Sequence, residues 1–386
     1  MIFGYLFKRL RRHVSEAFLS ALIVAVIVLL LLGLHHYYSA QQAKLDAAYE
    51  NYDIRCTVTN ISGSRQTDLN ITAGYLGLFE EGGELSLYTE DVFLLRQLND
   101  AVLRRSANAD PTTGKTVRLY MTNDPQRSAY LEGAVIRYEE DYDSKSFRGE
   151  ESICIVSERL SMQIGTDSTV FLHTPMGETE ARVVGTYLDE EDTVFVAWQP
   201  MAVQLKANGI SAAASSMSFS VSDNRQLGEV KTILRDYFIP ASRTNKSSNM
   251  HGLIIDDGLF IDTVVVLERS LALMRVVRLV VYVLSVGISF LVAFLGIRSR
   301  RLELAVMRSM GTRSIALYIE VLCEHILFFM LGASVACLIT IPFGMPHTES
   351  NLATVGLFMI CYLIGVALAV AQATSGQIMQ TLKGKE

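Results

Sequence analysis

Three ionisable residues, Glu320, Glu324 and His325, interrupt an otherwise apolar stretch in the last quarter of the chain. Charged groups in hydrocarbon are costly, and those that persist relay protons or ions or find a partner. Glu320 and Glu324 are four apart and share a helix face. One reading is a relay along that face. The other, which we prefer, puts Glu320 at the cytoplasmic interface and Glu324 just inside it, paired with the arginine-rich segment before it.

Elsewhere the chain offers little that could do chemistry. A phosphate-binding loop needs GxxxxGK[ST], so that backbone amides and a lysine reach the phosphates, and no such run exists. The seven histidines show neither HExxH nor Cys/His ligand spacing, and no metal site is expected. GxSxG, the turn that exposes a hydrolase serine, is missing too, so no catalytic residue is assigned. The acidic runs Asp189–Asp192 and Glu139–Asp143 read as cation ligands or as solvated turns. The turn reading is favoured, because both lack the alternating ligands and glycine of a calcium loop. Cys56 and Cys154 lie in strand-like runs, so a disulfide between them and two core thiols are both open. Nothing points to a nucleic-acid partner.

The elements around these residues are dominated by apolar runs. The chain has 386 residues, 50% hydrophobic and 19% charged, which excludes a disordered chain and fits an ordinary soluble enzyme poorly. Four stretches are long enough to span a bilayer, which takes roughly 20 residues in helix. We place them at 17–38, 271–297, 315–343 and 352–375, the first as a retained anchor rather than a cleaved signal because its apolar run is too long and lacks a cleavage site. They are joined by a cytoplasmic amphipathic N-terminus (1–16), a cytoplasmic helix (298–314), an outer loop (344–351) and a cytoplasmic tail (376–386). Lys8, Arg9, Arg11 and Arg12, the arginines after the second span, and Lys383 and Lys385 all stay in the cytoplasm if basic flanks face inward. Residues 39–270 then lie outside. Ala40 to Ser270 holds 34 acidic against 21 basic residues, a formal −13, and the remainder of the chain is +7. Arg275 and Arg278 oppose the pattern and are read as snorkelling or pairing with acids.

Within the outer segment, period-2 alternation predicts strands at 54–59, 116–120, 152–156 and 182–187. Apolar residues at helical spacing predict helices at 91–104 and 227–237, and the Ala/Ser-rich stretch 209–220 reads as a loop or weak helix. The fold class expected is an α-helical membrane protein with four transmembrane helices and a large α+β extracytoplasmic domain inserted between helices 1 and 2.

The run from Ile297 to Thr312 is a short amphipathic helix with Leu304, Met307 and then Met310 or Gly311 on one side and arginines on the other. It resembles the RRREIALLRALGA segment after the second span of the MacB/FtsX-type ABC transporter permease family, with Arg300, Arg301, Glu303, Leu304, Ala305, Arg308, Met310 and Gly311 at matching positions. Glu324 falls where that family has a glutamate early in its third span, and Gly332 where that span has small residues. Gln377 to Glu386 is similar to the closing PxxxLRGKE, without the proline. Residues 155–160, Ile164-Gly165 and 183–185 are similar to the MacB-like periplasmic core domain. The first span departs from the family in lacking its LGxxxG.

The resemblance implies a membrane permease subunit that works with a second permease subunit, identical or paralogous, and with separate ABC ATPase subunits. Those subunits would hold ATP and Mg, leaving this chain with no cofactor and no enzyme activity of its own. Arg300, Arg301, Glu303, Leu304, Met307, Arg308, Met310 and Gly311 would couple it to the ATPase. ATP-driven motion would pass to the outer domain for export or extraction of a peptide, lipid, lipoprotein or drug, with or without a membrane-fusion adaptor. The location implied is the plasma membrane, multi-pass, with both termini cytoplasmic. Two alternatives stand beside it: an FtsX-like regulator of a cell-wall hydrolase and a membrane-anchored sensor.

Overall fold

A computed structural model describes residues 14–106, 114–164, 169–175, 177–189, 191–240, 251–312, 314–341 and 349–376. Most of the expected N-terminal amphipathic segment, the tail after Gly376, most of the outer loop, and Gly165 and Glu190 lie outside these residues. The described chain divides into two compact units, one of residues 1–47 and 263–386 and one of Ala48–Asp262, which sits within the expected 39–270.

In chain order the elements are α1 (Val14–Asn51), β1 (Arg55–Thr59), α2 (Ala73–Leu76), β2 (Thr89–Arg104), β3 (Lys115–Thr122), β4 (Ile136–Tyr138), β5 (Ile153–Ser157), α3 (Glu158–Ile164), β6 (Thr169–Thr174), β7 (Gly177–Tyr187), β8 (Thr193–Ala197), α4 (Trp198–Ala207), β9 (Ser216–Val221), α5 (Leu227–Tyr237), β10 (Ile239–Pro240) and β11 (Gly252–Ile255). The last four helices are α6 (Gly258–Ser299), α7 (Arg301–Ser309), α8 (Ser314–Thr340) and α9 (Glu349–Gly376).

In the sheet unit the strands run in the order β10-β11-β1-β9-β2-β3-β8-β5-β7-β4, and β6 bridges β2 and β7. Pairings β2–β3, β3–β8, β8–β5, β5–β7, β7–β6 and β6–β2 therefore close a ring of six strands. Every residue of β5 and β8 is buried, so neither strand presents a face to solvent. On one face Ile155, Phe195, Tyr120 and Tyr187 pack with Phe147 of a short 3₁₀ helix, Ser144–Arg148. Tyr120 and Phe195 stack at 5.0 Å. Tyr49 and Tyr52 meet Phe260 edge-on at 5.7 and 5.6 Å, tying the two ends of the unit together.

The structure corrects two expectations here and decides between the open readings of a third. Residues 91–104 belong to strand β2, not a helix. Its ladder slips between Glu90 and Phe93 and between Leu98 and Ala101, and at each slip an aspartate, Asp91 (φ 52°) or Asp100 (φ 59°), takes the left-handed conformation. Each extra residue offsets the period-2 pattern by one, and the buried Phe93, Leu95, Leu98, Ala101 and Leu103 then imitate helical spacing. The second correction concerns 209–220, whose last five residues are strand β9, with its apolar Met217 and Phe219 fully buried. Third, Cys56 and Cys154 are free thiols. Four strands separate β1 from β5 in the sheet, whereas a bridge needs Cα atoms within about 7 Å. Burial pushes both thiols up to about 12.

Among the described residues the other unit has four helices with regions long and apolar enough to cross a membrane: Ala17–Asn51, Gly258–Ser299, Ile315–Thr340 and Asn351–Gln372. The first two helices outrun the expected spans 17–38 and 271–297. All four contribute to one core in which Val24, Val28, Ala293, Phe329, Ala336, Phe358 and Val366 are buried. Two glycines let backbones approach closely, as small residues do between membrane helices. A Cβ on Gly332 would strike Ala21 and Val24 of α1, and one on Gly365 would strike Val286 and Ser289 of α6. Arg278 lies over the Tyr38 ring at 5.4 Å, so a cation–π contact serves it.

Candidate functional site

Helix α6 stops at Ser299, whose hydroxyl donates to Gly296 O at 2.9 Å, and the chain turns at Arg300 into the nine-residue α7. The far end of α7 is closed by Gly311 at φ 89°, with Thr312 N–H donating to Met307 O at 3.2 Å. That is the long backbone bond of a Schellman stop, and the left-handed φ explains a glycine at this point. Both ends of the helix are thus fixed by local sequence.

Arg300 is the root of this arrangement. Its Nη1 donates to both carboxylate oxygens of Glu324, at 2.7 and 2.9 Å, with side-chain exposures of only 9% and 8%. The pairing preferred from sequence is therefore present, and it ties the α6–α7 turn to α8. A charge pair this buried holds only because each partner satisfies the other. Glu320, one turn earlier on the same face, is half-buried. His325, also buried, shares a 2.9 Å hydrogen bond through Nδ1 with the Tyr362 hydroxyl on α9 and meets Phe328 edge-on at 5.6 Å. The polar residues of α8 thus form two separate ties, one to the α6–α7 turn and one to α9.

Leu302 and Val306 on α7, and Met310 just past its end, are 82%, 55% and 74% exposed. They stand at i, i+4 and i+8, one apolar stripe facing away from the core. Glu303 is exposed and Met307 half-buried. Arg301, Leu304 and Arg308 lie within α7, and their side chains are outside the described residues. Sequence reasoning misses Leu302 and Val306, although their spacing from Met310 is readable. Tyr362 gives no sequence signal, because its role depends on α9 packing beside α8.

The acidic runs in the sheet unit have protein partners. Asp192 pairs with Lys115 at 2.8 Å, Glu191 with Arg118, and Glu139 with Arg182 at 3.3 Å, while Asp143 caps the 3₁₀ helix by accepting from Ser146 N–H at 2.9 Å. Among the described residues no cluster of three or more His, Cys, Asp or Glu could hold a metal.

No family model matches this chain, and no curated protein sequence is similar to it. Among solved structures it is similar to the periplasmic region of MacB from Actinobacillus actinomycetemcomitans, at 14% identity and a TM-score of 0.33, over 56% of this chain and 94% of that one. It is also similar to the extracellular domain of the ABC-type transporter YknZ from Gram-positive bacteria, at 11% identity and a TM-score of 0.31, over 53% of this chain and 100% of that one.

Proposed function

We propose that this chain is the permease subunit of an ABC transporter whose ATPase is a separate polypeptide. One observation carries the reading: a short amphipathic helix, α7, leaves its apolar stripe Leu302/Val306/Met310 uncovered and is rooted by the buried Arg300–Glu324 pair. An exposed apolar stripe beside charged residues is what a docking helix offers to a partner groove. The basic flanks put this helix in the cytoplasm, where ATP is hydrolysed. The sheet unit, inserted between α1 and α6, is then extracytoplasmic and is the part that acts on substrate.

In this mechanism nucleotide-driven closure of two ATPase subunits pushes on α7. The Arg300–Glu324 pair passes the displacement to α8, and the close contacts at Gly332 and Gly365 pass it to α1 and α6. These two helices lead into the sheet unit in sequence, so a shift in their packing becomes a movement of that unit against a second permease subunit. The test uses the assembled complex. Replacing Glu303 and Arg308 together by Ala should abolish substrate-stimulated ATP hydrolysis, with membrane insertion unchanged. Normal stimulation in that variant would refute docking through α7.

A further inference from the structure

The sheet unit contains a cavity of about 310 Å³ between α2, β2, the 3₁₀ helix and the start of α4. An apolar cavity of about 150 Å³ accepts benzene, so this one has room for a ring and a short chain. Its apolar wall is formed by the half-buried Phe79, Val92 and Leu94 with Trp198, 6% exposed, and the fully buried Phe147 and Met217 pack behind them. Its polar lining is partly committed. Asn123 donates to Val92 O at 2.6 Å and accepts from Leu94 N–H at 2.9 Å. Arg148 pairs with Asp91 at 2.9 Å and lies 3.7 Å from Asp124, and with the neighbouring Arg127 it balances these two carboxylates.

The groups left for a ligand are the exposed carboxylate of Glu80 and the exposed amide of Gln199, neither of which has a side-chain partner among the described residues. The N-terminus of α4 has no side-chain cap and contributes about half a positive charge, less than the full negative charge of Glu80. The sum at the mouth is negative over an aromatic floor. Clefts lined by one sign of charge concentrate ligands of the other.

We infer that this cavity binds the apolar end of a cationic amphiphile, with the ammonium or guanidinium at Glu80 and Gln199. The same chemistry is supplied by a free organic cation or by a basic peptide carrying a large apolar side chain. As a substrate site it rests on the transport reading; as a binding site it stands alone.

Trp198 is the only tryptophan in the chain and lines the cavity, so its emission reports occupancy. The full chain in dodecyl maltoside is titrated with 4-phenylbutylammonium, with its anionic counterpart 4-phenylbutyrate, and with the peptide acetyl-Lys-Phe-Lys-amide. A saturable change with the ammonium compound, the peptide or both, and at least tenfold weaker binding of phenylbutyrate, is expected. Binding of only one of the two cations identifies the source. Glu80→Gln should weaken the cation about fivefold, the factor of a partly exposed ion pair, and strengthen phenylbutyrate by relieving the like-charge repulsion. Leu94→Phe, which fills the cavity while staying apolar, should remove binding of all three. No saturable change, equal affinity for both charges, or an unaltered Glu80→Gln or Leu94→Phe variant would overturn the site. Such a failure leaves the ATP-hydrolysis test of α7 untouched, because that test reads a different unit.

Discussion

Arg300 and Glu324 show what a buried charge requires. Removing one partner strands the other at less than a tenth of its exposure, a loss of about 3 to 5 kcal/mol. Arg300→Met or Glu324→Leu alone should therefore lower the thermal midpoint of the four-helix unit sharply, and the two together should recover most of it. A double variant as unstable as the sum of the singles would show that the pair is not the unit of stability. His251 gives a pH dependence of its own. Burial beside the Tyr75 ring, 5.1 Å away, lowers its pKa below the usual 6.5, opposed by a backbone hydrogen bond with Asn70. Below pH 6.5 the unfolded chain then binds more protons than the folded one, so stability present at pH 7 is lost as pH falls through the folded value. In urea titrations of the chain at pH 7 and pH 5, the drop in midpoint should be smaller for His251→Gln than for the native chain. At this scale the sequence disclosed Glu324 through its cost in an apolar run, whereas Tyr362 is an ordinary span residue until α9 is laid beside α8.

Helices and strands differ in how plainly their residues announce them. The four apolar helices follow from length and composition alone, because hydrocarbon forces every backbone group to pair within its own segment. Strands β1, β3, β5 and β7 are legible in their alternation. Strand β2 is not, since Asp91 and Asp100 each add a residue and swap the faces of the residues after them. The ring closed by β6 is equally hidden, because it rests on a pairing between Leu103 and Leu172 far apart in sequence. Helix packing is only half legible: Gly365 and Ala369 read as a small-residue face, but their neighbour, α6, appears only in the fold. Gly332→Leu and Gly365→Leu should each disrupt helix packing, lowering the thermal midpoint in detergent by several degrees or preventing assembly. Gly356→Ala, where a Cβ meets nothing, should be close to neutral.

At the scale of the whole molecule, the net charge of −6 is the sum of two unlike parts. An acidic segment of −13 folds almost entirely as the sheet unit, and the +7 belongs to the helices, their connections and the termini. Of these two parts it is the basic one that orients a membrane protein, because Lys and Arg beside the spans are held in the cytoplasm, whereas a long domain crosses largely regardless of its charge. What is proposed for α7, and for the cavity as a substrate site, depends on that orientation: the one must meet an ATPase inside, and the other must meet its substrate outside. The most direct test is therefore topological. A reporter active only outside the cytoplasm is fused to the chain truncated near Tyr187, and in a second fusion at Glu386. Activity from the fusion near Tyr187 and silence from the one at Glu386 is the result expected; the reverse would contradict the assignment of α7 to the cytoplasm and with it the transporter reading.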